Sequence, residues 1–135
     1  MFLLDTNVIS ELRKPNPNPN VLAWCTSVSS ADLYLSVLVV GEVRQGIERL
    51  RRRDPAQASV IETWLATLQR DYADRIVPIT REVAETWGRM NVPQLLAHVD
   101  GLMAATAHVH GFTFVTRNIE DVASSGVHLL NPFEP

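Results

Sequence analysis

The sequence predicts an α/β fold built on a mainly parallel sheet, and two observations predict it. Five short apolar, β-prone runs recur at Phe2–Leu4, Leu33–Val37, Ile76–Val77, Phe112–Val115 and Val127–Leu130. Between them lie stretches whose apolar residues repeat at helical spacing. Short strands alternating with amphipathic helices are the pattern of a sheet whose strands are joined by helical crossovers.

Each element has its own warrant. Phe2–Leu4 opens the chain as a strand, and Thr6–Arg13 follows as a short helix. Pro15-Asn16-Pro17-Asn18-Pro19-Asn20 cannot continue that helix and reads as a rigid connector. A second helix is expected near Asn20–Val28. After the Leu33–Val37 strand, Val39, Val43, Ile47 and Leu50 mark one helical face, and Ile61, Leu65, Leu68 and Tyr72 mark the next. Val83, Trp87 and Met90 do the same beyond Ile76–Val77. His98–Val109 leads into Phe112–Val115, and a short turn from Asn118 precedes the last strand. The 135 residues hold no internal repeat and no long linker, so one domain over residues 1–135 is expected.

Composition narrows the function. Apolar residues make up 46% and charged residues 20%, which excludes a disordered or fibrous chain. No apolar run reaches the roughly 18 residues of a membrane span. The opening Met-Phe-Leu-Leu-Asp lacks the basic leader of a signal peptide. Cys25 is the only cysteine, which excludes an internal disulfide or a cysteine-based zinc site. A reducing cytoplasm is the expected location. Twelve cations, eleven of them arginine, face fifteen carboxylates. That balance argues against a general nucleic-acid binder, although arginine suits bidentate contact with phosphate.

Four carboxylates fall in comparable places. Asp5 directly follows the first strand, Glu42 lies about one turn into the helix after the second, and Asp121 sits just past Phe112–Thr116. Asp100 opens the helix that leads back to that strand. Parallel sheets bind their ligands outside the carboxyl ends of the strands. Each acid also has a plainer reading: Asp5 as a helix cap, Glu42 as a solvated helix residue, Asp121 as a complement to a helix dipole. Asp100 is harder to explain that way. It shares a stripe with Met103, Ala104 and Ala107 that should pack on the sheet, and no Lys or Arg occurs between Arg89 and Arg117. A buried charge needs a partner, and converging carboxylates would be tolerated around a divalent ion. Oxygen-only ligation favours Mg²⁺ or Mn²⁺ over zinc. Setting the four acids aside leaves eleven carboxylates against twelve cations, so the acidic balance weighs little against a nucleic-acid substrate.

The residues themselves resemble a family. Phe2-Leu3-Leu4-Asp5-Thr6-Asn7-Val8-Ile9-Ser10-Glu11-Leu12 resembles the opening of PIN-domain ribonucleases, most closely the VapC-type toxins of bacterial toxin–antitoxin pairs. Ser36–Ile47, Asp100–Ala107 and Val115–Asp121 are similar to the second, third and fourth motifs, and Gly126–Phe133 to the tail. The likeness spans essentially the whole chain. It implies a three-layer α/β/α sandwich, a homodimer, and an inhibitory antitoxin protein that inserts a segment into the active-site groove. It makes Asp5, Glu42, Asp100 and Asp121 the metal-binding acids, with Thr6 and Thr116 as supporting hydroxyls and Asn118 a nearby polar group. Val122 departs from the aromatic residue common after the last acid, and Gly101 from the usual Ala or Ser. Glu120 adjoins Asp121 and competes with it for the fourth role.

Substrate contacts follow from helical geometry. Gln45, Arg49 and Arg53 stay near the face of Glu42, with Arg49 about 10 Å and Arg53 about 16 Å along the axis. They form a rail for phosphates, with Arg44, Arg51 and Arg52 beside them. The plainer reading is a solvated helix end, and the resemblance implies that the same region commonly meets the antitoxin. Arg117, inside the fourth motif, is the better single candidate. His108 and His110 are two apart on a helix, so their rings diverge, and a ribonuclease with paired histidines is disfavoured. Trp24, Trp64 and Trp87 read as core.

The expected activity is therefore Mg²⁺/Mn²⁺-dependent cleavage of RNA by activated water, leaving 5′-phosphate and 3′-hydroxyl ends. The alternatives are a catalytically silent PIN-like module that binds RNA or protein, and a structure-specific DNA nuclease or small phosphohydrolase with the same acidic site.

Overall fold

A computed structural model describes residues 1–135. Five parallel strands form one sheet in the order β3-β2-β1-β4-β5, namely β1 (Phe2–Leu4), β2 (Leu33–Ser36), β3 (Ile76–Val77), β4 (Thr113–Val115) and β5 (Leu129–Leu130). The intervening helices are α1 (Thr6–Arg13), α2 (Pro19–Ser27), α3 (Val37–Arg51), α4 (Pro55–Asp71), α5 (Arg81–Met90), α6 (His98–His110) and α7 (Ile119–Val122). No helix is long and apolar enough to cross a membrane.

Strand order decides where the helices lie. From β1 the chain moves outward to β2 and then β3, and returns through α5 and α6 to β4 on the other side of β1. Parallel crossovers are right-handed, so α1–α4 cover one face and α5–α7 the other. The direction reverses between β1 and β4, and a crevice opens beyond the carboxyl ends of strands at such a point. Asp5 stands at the end of β1, directly beside Thr116 at the end of β4.

The central strand explains the core. Leu3 and Leu4 are wholly buried, as befits a strand covered on both faces. Leu35, Val39, Ile47, Leu65, Met103, Ala104, Ala107, Phe114 and Val122 pack around them. The small residues of α6 let it lie close to the sheet. Gly111, with φ +70, ends that helix in the left-handed conformation, and the Phe112 N–H bonds back to the Ala107 carbonyl.

Several boundaries differ from expectation, among them β5, which begins at Leu129 rather than Val127. Val37 belongs to α3, because the buried Ser36 hydroxyl accepts the Leu38 N–H at 3.0 Å and starts the helix one residue early. Phe112 precedes β4 and stacks on Tyr34, with ring centroids 4.6 Å apart. The proline-rich connector is shorter than it reads: Asn18 caps α2 and Pro19 is its first residue, a position where a missing N–H costs nothing. The tryptophans are half-buried. Trp24 and Trp64 pack against the core, while Trp87 lies against α6.

That last contact explains Gly101. A Cβ there would stand 3.0 Å from the Leu96 Cβ and 3.1 Å from the Trp87 Nε1. Gly101→Ala is expected to lower stability by about 1 kcal/mol, because overpacking outweighs the gain in helix propensity. Denaturant midpoints of the two proteins check this, and an unchanged or higher midpoint would contradict it.

Candidate active site

The site begins where the β1 ladder runs one residue past the strand. The Asp5 N–H donates to the Val115 carbonyl at 2.9 Å, which puts Asp5 in register with Thr116. Thr116, wholly buried, donates its hydroxyl to Asp5 Oδ2 at 2.7 Å. Asn7 Nδ2 reaches the same oxygen at 3.3 Å. The Thr6 N–H donates to Asp5 Oδ1 at 2.7 Å, so Asp5 does cap α1. The cap and the site are the same carboxylate.

Glu42 arrives from α3, whose start at Ser36 sets its phase. Its Oε1 accepts the Thr6 hydroxyl at 2.6 Å. Thr6 thus ties two acids together, the backbone to Asp5 and the side chain to Glu42. Asp100 enters from the first turn of α6, held toward the sheet by Met103, Ala104 and Ala107, all wholly buried. Asp121 lies exposed in α7.

Electrostatics connects the four. Asp5 is only 3% exposed. Burial, with the charges of Asp100 and Glu42, pushes its carboxyl up to about 6, against the hydrogen bonds from Thr116 and the Thr6 N–H. Burial also raises Asp100, helped by Glu42 and then Asp121. Of the two α7 acids, Asp121 contributes to that rise, and Glu120 lines the same cleft beside it. None of the four pairs with a basic side chain; the ion pairs of the molecule lie elsewhere.

A divalent cation suits this donor set. It is oxygen-only and anionic, and each carboxylate keeps lone pairs beyond those its hydrogen bonds engage. As they stand, no three of these side chains are grouped closely enough to hold an ion between them, so the convergence expected from the sequence is not complete.

The expected substrate contacts separate into two groups. Arg49 and Arg53 line a cleft of about 410 Å³ that also touches Thr6 and Glu42. Helix α3 ends at Arg51, so Arg53 reaches the cleft from the following turn rather than from a continued helix. Gln45 does not line it. Arg44 and Arg51 leave the expected rail, because both pair with Glu48 and Glu62. Arg117 and Asn118 share a second cleft with Asp121, and the Arg117 guanidinium lies 4.7 Å from the Phe133 ring centroid. The Asn118 N–H bonds the Thr116 hydroxyl at 3.0 Å.

Asn7 was missed by sequence reasoning. It contacts Asp5, Thr116 and, through Oδ1, the Arg117 N–H at 3.4 Å. Its place two residues after Asp5, on the same helical turn, was the available clue. Arg13, which also lines the first cleft, was missed as well.

Acids placed at the switch point of a parallel α/β sheet define a class of site rather than one protein. Comparison narrows the class. The PIN domain family matches residues 2–121. A VapC ribonuclease, Y4jK, from Sinorhizobium fredii is 34% identical and covers 100% of this chain and 99% of its own. Toxin FitB from Neisseria gonorrhoeae is 33% identical, over 98% and 99%. The crystal structure of FitAcB from Neisseria gonorrhoeae superposes with a TM-score of 0.91 at 34% identity, covering both chains fully. The chain belongs to the PIN-domain family, among the VapC/FitB-type toxins of toxin–antitoxin systems. Its structural neighbours are toxin–antitoxin complexes.

Two predictions follow from the buried acid. Folded Asp5 titrates near 6, above its ordinary 3.8, so the native state holds this proton more tightly than the unfolded chain. The cost of ionising it is absent below about pH 3.8 and complete above about pH 6. In EDTA, Asp5→Asn should therefore melt higher than the parent at pH 7.5, by on the order of 2 kcal/mol or about 5 °C. The gap should close toward pH 4. Thermal melts across that range check it, and a constant gap would count against it. Thr116→Val removes a bond to Asp5 and should weaken Mn²⁺ binding about 10- to 100-fold, measured by calorimetry.

Proposed function

We propose that this chain is a divalent-metal-dependent endoribonuclease acting as the toxin of a toxin–antitoxin pair. The observation that carries it is the buried Asp5, whose carboxyl feels the charges of Asp100 and Glu42 and is matched by no basic side chain. Asp5, Glu42, Asp100 and Asp121 would hold the ion. Mg²⁺ or Mn²⁺, when bound, supplies a water of lowered pKa and neutralises charge on a phosphoryl group.

The chain's own residues do the positioning. Thr116 and Asn7 fix one oxygen of Asp5, and the Thr6 N–H fixes the other. The Thr6 hydroxyl holds one oxygen of Glu42 and leaves its partner oxygen free. Arg49 and Arg53 offer charge to phosphates beside the acids, and Arg117 with Asn118 does so near Asp121. Hydrolysis of the P–O3′ bond gives 5′-phosphate and 3′-hydroxyl ends. No 2′-hydroxyl takes part, so preference for RNA comes from the groove.

We further propose one domain over residues 1–135, a homodimer, and a small antitoxin that covers the groove in the cytoplasm. An active ribonuclease there needs an inhibitor, and toxin–antitoxin complexes among the structural neighbours support one.

A labelled single-stranded RNA with Mn²⁺ tests the activity. Cleavage to 5′-phosphate ends is expected, EDTA should stop it, and Asp100→Asn should lower kcat/KM by more than about 100-fold with the fold intact. Parental rates from Asp100→Asn would overturn the site.

A further inference from the structure

The cleft beside Glu42 carries features that the metal chemistry does not use. Its wall runs from Thr6 and Glu42, past Arg49 and Arg53, to Arg13 and Trp64. Charge pairing divides the arginines of this region. Arg44 and Arg51 each meet Glu48 and Glu62, and their charge is spent on neighbours. Arg13, Arg49 and Arg53 meet no carboxylate. Three unneutralised guanidinium groups along one cleft make a polyanion track.

Trp64 adds a second kind of contact. It packs against the core from α4 yet is only half-buried, and it also lines the cleft. The Arg13 guanidinium carbon stands 5.7 Å from its ring centroid, at the outer range of a cation–π contact. Two planar groups of this kind accept an unstacked base, on the indole face or on the guanidinium plane. At about 410 Å³ the cleft has the size of a small-ligand site, so a strand enters it one unpaired nucleotide at a time.

The geometry points to this cleft as a single-strand subsite: Arg49 and Arg53 hold phosphates of RNA leaving the acidic pocket, and Trp64 with Arg13 receives one unpaired base. The subsite rests on the ribonuclease reading for its substrate, but its own evidence is the unpaired arginines and the half-buried indole that lines the cleft. It makes Trp64 and Arg13 determinants of strand preference, distinct from the acids that handle the metal.

Binding separates this subsite from catalysis. Fluorescence anisotropy of a labelled single-stranded RNA is measured on the full chain carrying Asp100→Asn, without added metal, across a salt series. Arg49→Gln and Arg53→Gln, both at exposed positions, should each reduce the salt slope by about 0.7. Trp64→Leu should weaken binding about tenfold, and Trp64→Phe should stay within about twofold of the parent. A duplex of the same sequence should bind more weakly and respond less to Trp64→Leu. Unmoved slopes, or equal affinities for the Leu and Phe variants, would overturn the subsite and leave the cleft wall to a protein segment. If Trp64→Leu does not fold, the arginine slopes and the duplex comparison still decide. These dependences in a chain that cuts no RNA would keep the subsite and remove the ribonuclease reading. Cleavage indifferent to every variant would do the reverse.

Discussion

The structure turns on one carboxylate held where it is electrostatically uncomfortable. Asp5 is fixed by β1, by its N–H bond to Val115 and by its place as the cap of α1. It cannot swing toward solvent without breaking the start of that helix. Its three hydrogen-bond donors, from Thr6, Thr116 and Asn7, offset only part of the cost of burial, since its carboxyl still titrates near 6. A purely structural cap would not need two further acids nearby, and Asp100 and Glu42 make the position worse. Strain of this kind is what a cation-binding site looks like before charge balance is restored.

The rest of the fold arranges that discomfort. Ser36 starts α3 in the phase that turns Glu42 toward Thr6. The alanines of α6 bring its first turn, and so Asp100, down on the sheet. Gly101 has a different task, leaving room for Trp87 beneath that turn. The indole N–H of Trp87 is buried without a partner there, so the contact is held by packing alone. The support of Asp100 is therefore apolar, while that of Asp5 is a hydrogen-bond network.

Sequence pattern revealed the sheet and the helices and singled out four acids by position, because strand and helix periods and chain position are local properties. The places it misread are those where two signals compete for one residue. Val37 is β-branched and follows a strand, but a buried serine hydroxyl placed it in a helix. Pro19 looks like a breaker, and its position after Asn18 makes it a starter. Arg44 and Arg49 both read from sequence as free cations of one helix. Glu48, one turn on, and Glu62, brought by the approach of α4, both pair with Arg44 and leave Arg49 alone. Asn7 and Arg13 matter through contacts made across the fold, to Thr116 and to Trp64, which no spacing rule exposes.

The same distinction resolves the chain's net charge. A formal −3 describes the whole molecule, but at physiological salt a phosphate senses charges within roughly 8 Å. What it meets along the cleft is set by pairing: arginines without partners on the α1 and α3 walls, and arginines already neutralised on the outer side of α3. Next to them stand acids that a divalent ion would reverse in sign. An acidic protein can thus present a cationic path of a few nucleotides' length, provided that its carboxylates are gathered in the pocket or locked into surface ion pairs. Glu48 and Glu62 matter for that reason. They do not touch the cleft, yet by holding Arg44 and Arg51 they leave Arg13, Arg49 and Arg53 as the unpaired charges along the wall that begins at Glu42.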